Sequence, residues 1–466
     1  MLFVSQQFLG FITAVLLVYW AIPAHRARMA WLLAASAVFY MSWNPWLILL
    51  IMFSASVDFF AALALEKYAD PRVRRAILVG SIGVNLGLLA YFKYANFFLD
   101  NLHGLGNWLG VSGDRRTLNV ILPLGISFYT FETISYIADV YRRRVRAERS
   151  LLNYALFILF FPHLIAGPIV RPGAFLPQAR RPKRWSWDRA YLGGRLILIG
   201  LAKKAVVADH LAAVVDPIFA DPGAYGSAAC WLAAVGYACQ IYCDFSGYSD
   251  MAIGMAHLFG FKLHQNFNLP YLAANIAEFW RRWHISLSSW LRDYLYIPLG
   301  GSRHGAWATN RNLMLTMLLG GLWHGASWTF VLWGALHGAL LVLHRSVAGR
   351  AWTRHVPHVV NVAVTFLCVC VGWVFFRAPS LPAALTVLHR MAWSAAGTRL
   401  SEATTALVLA LVAAVALEHV LRGRRGLGRG FARLPDPVVG LAYAAAAVAV
   451  FILIPETGKG FIYFQF

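Results

Sequence analysis

The chain has 466 residues, of which 59% are hydrophobic and 13% are charged. Soluble domains are about half apolar and about a quarter charged, so this composition excludes a soluble enzyme and predicts a polytopic membrane protein. The 41 Lys and Arg exceed the 20 Asp and Glu. These cations cluster in short loops between apolar segments, so they indicate membrane topology rather than nucleic-acid binding.

Apolar stretches of about twenty residues, the length that crosses a bilayer, recur along the chain. We predict spans at 3–23, 29–43, 46–65, 76–97, 118–140, 192–212, 226–258, 311–344 (too long for one pass), 357–376, 404–421 and 435–455. Runs this long exclude a β-barrel, so the fold class is an all-α membrane bundle. We expect one integral-membrane domain over 1–466, with a re-entrant or interfacial segment at "LFILFFPHLIAGPIV".

Basic loops predict the orientation. The loops "AHRARM", "EKYADPRVRR" and "YRRRVRAER" are separated by even numbers of spans, so all three can be cytoplasmic. Loop 421–435 is also strongly basic and is followed by one span. This parity predicts that the segment 456–466 lies on the extracytoplasmic side.

The stretch "NIAEFWRRWHISLSSWLRDYLYIPLGG" runs from Asn275 to Gly301. As one helix it would place its polar residues on one face, and these are Arg281, His284, Ser288 and Arg292. The opposite face would be apolar and mainly aromatic, formed by Trp280, Trp283, Leu287, Trp290 and Tyr294. Such a helix can rest on lipid headgroups, or its cations can hold the phosphates of an activated acyl donor.

Two histidines lie in the apolar run that follows. His324 is flanked by Gly320, Gly321 and Gly325, and a histidine inside a membrane segment suggests a functional site. A hydrogen bond to a neighbouring helix is the structural alternative. His337 is thirteen residues further on and cannot share the face of His324 unless the helix breaks, so we expect a structural role for it.

Several stretches together resemble the membrane-bound O-acyltransferase family. They are "PLGISFYTFETISYIADVYR", "DFSGYSDMAIG", "EFWRRWHISLSSWLRDYLYIPLGG", "LMLTMLLGGLWHGASWTFVLWGALHG" and "FIYFQF". In particular they are similar to the bacterial branch that contains alginate O-acetyltransferases and their peptidoglycan and cellulose counterparts. The resemblance implies a multi-helix bundle with a central funnel, a catalytic core over 275–345, a catalytic His324 and a second active-site residue in His284.

This resemblance predicts an O-acetyltransferase of the bacterial inner membrane. A cytoplasmic thioester, acetyl-CoA, would be the donor, with Arg281, Arg292 and Ser288 binding it, and no permanent cofactor or metal is expected. The acceptor would be an extracytoplasmic polysaccharide, reached through a serine-type, esterase-like partner. Which polysaccharide is acetylated stays open, and a transporter or a non-catalytic scaffold of a polysaccharide complex is the alternative.

The tail 456–466 carries the last prediction. It contains a single tyrosine, Tyr463, among Phe461, Phe464 and Phe466, behind Gly458 and Gly460. A phenol ionises far more readily than an ordinary alcohol, so its acetyl ester stays activated. Tyr463 is therefore predicted to carry the acetyl group, and a plug or docking role for the tail is the alternative.

Overall fold

The computed structural model describes all residues except 2, 112–113, 115–116, 166, 351–354, 424–434, 455–459 and 462–466. Within this described part every named element is helical, apart from one isolated bridge between Tyr225 and Thr398. The chain forms two compact units. Unit 1 comprises Met1–Gly194 and Ala252–His264, and unit 2 comprises Arg195–Met251 and Gln265–Phe466.

Unit 1 is built mainly from the amino-terminal helices. They are α1 (Gln6–Ala21), α2 (His25–Met41), α3 (Leu47–Lys67), α4 (Pro71–Leu89), α5 (Ala95–Trp108), α6 (Ile126–Tyr141), α7 (Leu151–Leu159), α8 (Phe161–Leu164) and α9 (Pro172–Arg180). A π-helical turn, Ala90–Tyr94, joins α4 to α5. The next helix, α10 (Trp187–Leu201), contributes to both units.

Unit 2 contains the stretches that carry the motifs. Its helices are α11 (Asp209–Ala220), α12 (Ser227–Leu258, shared with unit 1), α13 (Ile276–Arg282), α14 (Ile285–Leu291), α15 (Gly305–His324), α16 (Trp328–Val347), α17 (His358–Arg377), α18 (Leu381–Ala392), α19 (Glu402–Gly423) and α20 (Asp436–Leu453). Two π-helical turns, Ala202–Ala208 and Arg292–Tyr296, and a 3₁₀ turn, Pro270–Leu272, complete it.

Five helical segments of the described chain are long and apolar enough to cross a membrane. They are Leu47–Lys67, Pro71–Trp108, Trp328–Val347, His358–Arg377 and Glu402–Gly423. Helices α7 and α8 cover the first part of the stretch predicted to be re-entrant or interfacial, up to Leu164. At 1.5 Å per residue the nine residues of α7 extend about 14 Å, roughly half of a hydrocarbon core of about 30 Å.

The span predicted at 118–140 is wrong at its amino-terminal end, because helix α6 begins only at Ile126. Gly125 precedes it with a φ of 72°, a conformation that glycine adopts at little cost. A Cβ at Gly125 would lie 2.7 Å from the carbonyl oxygen of Leu164. The close approach of these two backbones therefore fixes where the helix starts.

The run 311–344 forms two helices, as its length predicted. Helix α15 ends at His324, and α16 begins after Ser327, whose side chain accepts a hydrogen bond from the Thr329 N–H. The two helices pack backbone against backbone. A Cβ at Gly334 would lie 2.3 Å from the Met317 carbonyl oxygen, so glycine is required at this crossing.

Candidate active site

The stretch 275–301 is not one helix, contrary to the prediction. Helix α13 ends at Arg282 and α14 begins at Ile285, with His284 between them at a φ of 41°. The segment 266–268 causes this break. The Asn268 N–H donates to the Arg282 carbonyl, and the Ile285 N–H donates to the Asn266 carbonyl, each at 2.9 Å. These tertiary bonds replace bonds that a continuous helix would make.

As a result, the four polar residues predicted to share a helical face do not share one. They are Arg281, His284, Ser288 and Arg292. His284 is completely buried, whereas Arg281 and Arg292 are exposed and Ser288 is half-buried. The single polar stripe predicted from the sequence is therefore wrong. The histidine points into the protein interior, and the two arginines remain at the surface.

Asn266 fixes the tautomer of His284. The Asn266 Oδ1 accepts the Ser286 backbone N–H at 3.1 Å and the Ser286 hydroxyl at 2.9 Å, so this atom is an acceptor. The His284 Nδ1 lies 3.2 Å from the same oxygen and must be the protonated nitrogen. Nε2 then carries the lone pair of the ring and can accept a proton or a hydrogen bond.

Burial keeps His284 neutral. Desolvation of the charged form lowers the pKa of His284 to about 3. The ring packs edge-on against Phe245, with centroids 4.6 Å apart. His284 is consequently a neutral, oriented imidazole throughout the physiological pH range.

Trp323 lies next to both predicted active-site histidines. Its ring centroid is 6.3 Å from that of His284 and 4.9 Å from that of His324. His324 is buried and is the last residue of α15. The negative end of a helix dipole favours a positive charge there, which suits a histidine that becomes protonated during a reaction.

The helix break at 325–327 also brings His337 close to this group. The ring of Trp333 lies 5.0 Å from His324 and 4.8 Å from His337. His337 is fully buried, and neither of its ring nitrogens has a hydrogen-bond partner among the residues that the structure describes. Its surroundings are aromatic, with Phe279 and Trp280 on its other sides.

Two of the three predicted donor-binding residues line one cavity. This cavity has a volume of about 230 Å³, and Ser288 and Arg292 line it together with Trp280, Tyr296 and Thr316. The Arg292 Nε also donates to Asp293 at 2.7 Å, and the Ser288 hydroxyl donates to the Trp283 carbonyl. Arg281 is not among the lining residues.

Sequence reasoning missed two lysines inside a predicted span. The Nζ of Lys203 lies 2.9 Å from Asp250 and 3.3 Å from Glu418. The Nζ of Lys204 lies 2.8 Å from Asp209 and 2.5 Å from Asp244. Both lysines sit on the π-helical turn 202–208 and are buried. Their position in an apolar run was the available signal, because buried charges are costly unless paired.

Lys204 also contacts the tail. Its Nζ lies 3.3 Å from the carbonyl oxygen of Gly460. Phe461 is fully buried, and its ring lies 4.5 Å from Tyr248 and 5.6 Å from Phe245, the ring that packs on His284. Tyr463 itself lies outside the described residues.

Comparison with known proteins identifies the class of this site. The profile of the membrane-bound O-acyltransferase family matches residues 84–377. A probable alginate O-acetylase of Azotobacter vinelandii is 42% identical over 463 residues, covering 96% of this chain and 88% of the relative. A probable alginate O-acetylase of Pseudomonas aeruginosa is 44% identical over 393 residues, covering 84% and 75%.

A peptidoglycan O-acetyltransferase of Helicobacter pylori is 40% identical over 389 residues, covering 78% of this chain and 73% of the relative. The chain therefore belongs to the membrane-bound O-acyltransferase family, and the family resemblance of its motifs is confirmed. It is a multi-pass membrane O-acyltransferase.

Proposed function

We propose that this protein takes acetyl from cytoplasmic acetyl-CoA and passes it, through Tyr463, to the extracytoplasmic side for O-acetylation of a polysaccharide. The observation that carries the proposal is the position of Phe461, which is separated from His284 by a single aromatic ring, Phe245. Two residues of extended chain reach at most about 7 Å. Tyr463 is two residues beyond Phe461 in the sequence, so this reach supports the proposal that it acts near His284.

The chemistry assigns one role to each group. The Tyr463 oxygen attacks the thioester carbonyl carbon while His324 accepts the phenolic proton. The C–S bond then breaks, and CoA leaves as a thiol after taking that proton from His324. His284, whose Nδ1–H is held by Asn266, has only an acceptor at Nε2, so it would orient the donor by accepting an amide N–H of its pantetheine arm, and the surrounding tryptophans exclude water.

A phenolic acetyl ester is an activated donor. The hydroxyl of a serine on an extracytoplasmic, esterase-like partner attacks its carbonyl, the phenol leaves, and Tyr463 is regenerated. The partner then acetylates the polysaccharide. The relatives that O-acetylate alginate and peptidoglycan support a carbohydrate acceptor. The positions of the basic loops support a protein of the cytoplasmic membrane whose tail is extracytoplasmic.

The cavity beside α14 suits one part of the donor. Its volume of about 230 Å³ is below the ~300–1,000 Å³ of typical ligand sites, so it admits a portion of CoA rather than the whole molecule. Arg292 and Ser288 would contact that portion. Arg281, exposed on the neighbouring α13, would attract the phosphates from the surface.

One assay separates this function from a transporter or a scaffold. Purified protein is incubated with acetyl-CoA labelled in the acetyl group, and both CoA release and label on the protein are scored. The proposed function requires CoA release with protein-bound label in the absence of the partner. A well-folded protein that releases no CoA and takes up no label would favour a transporter or a scaffold.

A further inference from the structure

Unit 1 contains a second cavity, of about 350 Å³, formed where α3 ends, α4 begins and the loop after α6 returns. Its charged lining residues are Glu66, Lys67, Arg74, Arg143 and Arg146. Four cations thus face one carboxylate. None of these residues lines the cavity beside α14 or contacts His284, His324 or His337.

Two of the charged groups are used to build the walls. Arg74 is buried and donates to the carbonyls of Leu65 and Tyr141, near the carboxyl ends of α3 and α6. The Glu66 carboxylate accepts the Ala147 N–H at 2.8 Å. These bonds fasten the two loops to each other, and they also satisfy the helix-end carbonyls that would otherwise attract further cations.

The other three cations have no such role. The side chains of Lys67, Arg143 and Arg146 form no hydrogen bond or ion pair with the residues that the structure describes. Arg143 is also held at a φ of 59°, an uncommon conformation for a residue with a side chain. The adjacent Arg144, by contrast, lies 3.8 Å from Asp139.

We propose that this cavity binds a phosphate-ester anion. Three uncompensated cations around one concave space repel each other, and an anion removes that repulsion. Arginine guanidinium groups match phosphate oxygens in pairs. A volume of about 350 Å³ lies within the ~300–1,000 Å³ range of small-molecule sites. A phospholipid headgroup and a soluble phosphate ester share this chemistry.

Calorimetric titration of the full-length protein in detergent distinguishes the two sources. One arm uses dioctanoyl phosphatidylglycerol, and the other uses glycerol 3-phosphate. Arg143→Gln combined with Arg146→Gln should weaken binding in one or both arms by about tenfold or more, the cost of one charge-assisted contact. Lys67→Gln, from the opposite loop, should weaken the same arm.

The matched control combines Arg75→Gln with Arg149→Gln, which removes the same net charge from exposed residues outside the cavity lining. The control should bind like the wild type. Loss in the lipid arm alone assigns the site to a phospholipid, and loss in the soluble arm assigns it to a free ester. A wild type that binds neither probe, or equal loss in the control, would overturn the proposal.

Discussion

At the scale of single residues, the two histidines beside Trp323 differ in what surrounds them. His284 has its tautomer fixed by Asn266 and directly precedes the short, seven-residue helix α14. His324 ends the twenty-residue helix α15, whose carbonyl end stabilises an imidazolium. This difference supports the proposal that His324 transfers the proton and His284 orients the donor.

Replacing His324 should therefore remove the reaction. We expect His324→Gln to reduce acetyl transfer by at least about 100-fold, the lower end for loss of a general base. The same change at His389, an exposed histidine of α18, should leave the rate unaltered. Turnover by a well-folded His324→Gln protein at the wild-type rate would remove this histidine from the mechanism.

Asn266 should act through His284. Asn266→Ala removes the acceptor of Nδ1–H, so kcat should fall by about tenfold or more while KM changes little. Asn266→Asp keeps an acceptor but adds a carboxylate, which raises the pKa of His284 from its low value. Its rate should then fall as the pH decreases through the new pKa, where imidazolium forms.

The pH dependence of kcat for both variants and the wild type checks this assignment. In the wild type His284 should contribute no acidic limb above about pH 4, since its pKa is about 3. An unchanged profile in Asn266→Asp, together with an unchanged rate in Asn266→Ala, would show that Asn266 only supports the fold.

At the scale of elements, the stretch 275–301 shows where sequence reasoning stopped. Periodicity predicted one helix, and local helices did form on both sides of Trp283–His284. The break depends on two backbone hydrogen bonds from the segment 266–268. The spacing of apolar residues within the stretch cannot reveal this break, because the hydrogen-bonding groups that cause it lie outside the stretch, in the segment 266–268.

The cavity beside α14 makes a kinetic prediction. Arg292→Gln should raise KM for acetyl-CoA by about three- to tenfold and lower kcat less, because an exposed charge contributes modestly to binding. Arg281→Gln should act in the same direction but more weakly, because Arg281 does not line the cavity. Added salt should raise the wild-type KM.

Arg399→Gln is the control for this series, since Arg399 is an exposed arginine of unit 2 outside the cavity lining. Its KM should equal that of the wild type. If Arg292→Gln alters only expression or membrane insertion, the arginine serves the lipid surface and not the donor.

The crossing of α15 and α16 makes a stability prediction. Gly334→Ala would place a Cβ 2.3 Å from the Met317 carbonyl, so the two helices must separate. Overpacking of this kind costs about 1–3 kcal/mol, which should lower the melting temperature of the purified protein and its activity. Gly80→Ala is the control, because Gly80 lies inside α4 and no atom is within 4 Å of the added Cβ. It should not lower the melting temperature.

At the scale of the whole molecule, the sequence was sufficient for the membrane class, the helical fold and the family. Long apolar runs and ordered motifs carry that information directly. The ion-pair and hydrogen-bond partners of buried polar side chains could not be predicted from the sequence in the same way. Lys204, for example, is explained by Asp209, Asp244 and Gly460, which lie far from one another in the chain and meet only in the fold.

The Lys204 contact also connects the tail to the rest of unit 2. The carbonyl of Gly460 and the ring of Phe461 are held beside Tyr248 and Phe245. A peptide that only docks a partner at the surface has no need to bury Phe461 near His284, whereas an acyl-carrying tail or a tail that plugs the bundle would bury it.

Mass spectrometry of the tail peptide tests whether Tyr463 carries the acetyl group. Full-length protein is incubated with acetyl-CoA without its partner and then fragmented to locate acetyl groups. We expect acetyl on the Tyr463 oxygen in the wild type, none in His324→Gln, and loss of polysaccharide acetylation in Tyr463→Phe with partner binding intact. Full polysaccharide acetylation by the Tyr463→Phe protein would show that Tyr463 does not carry the acetyl group.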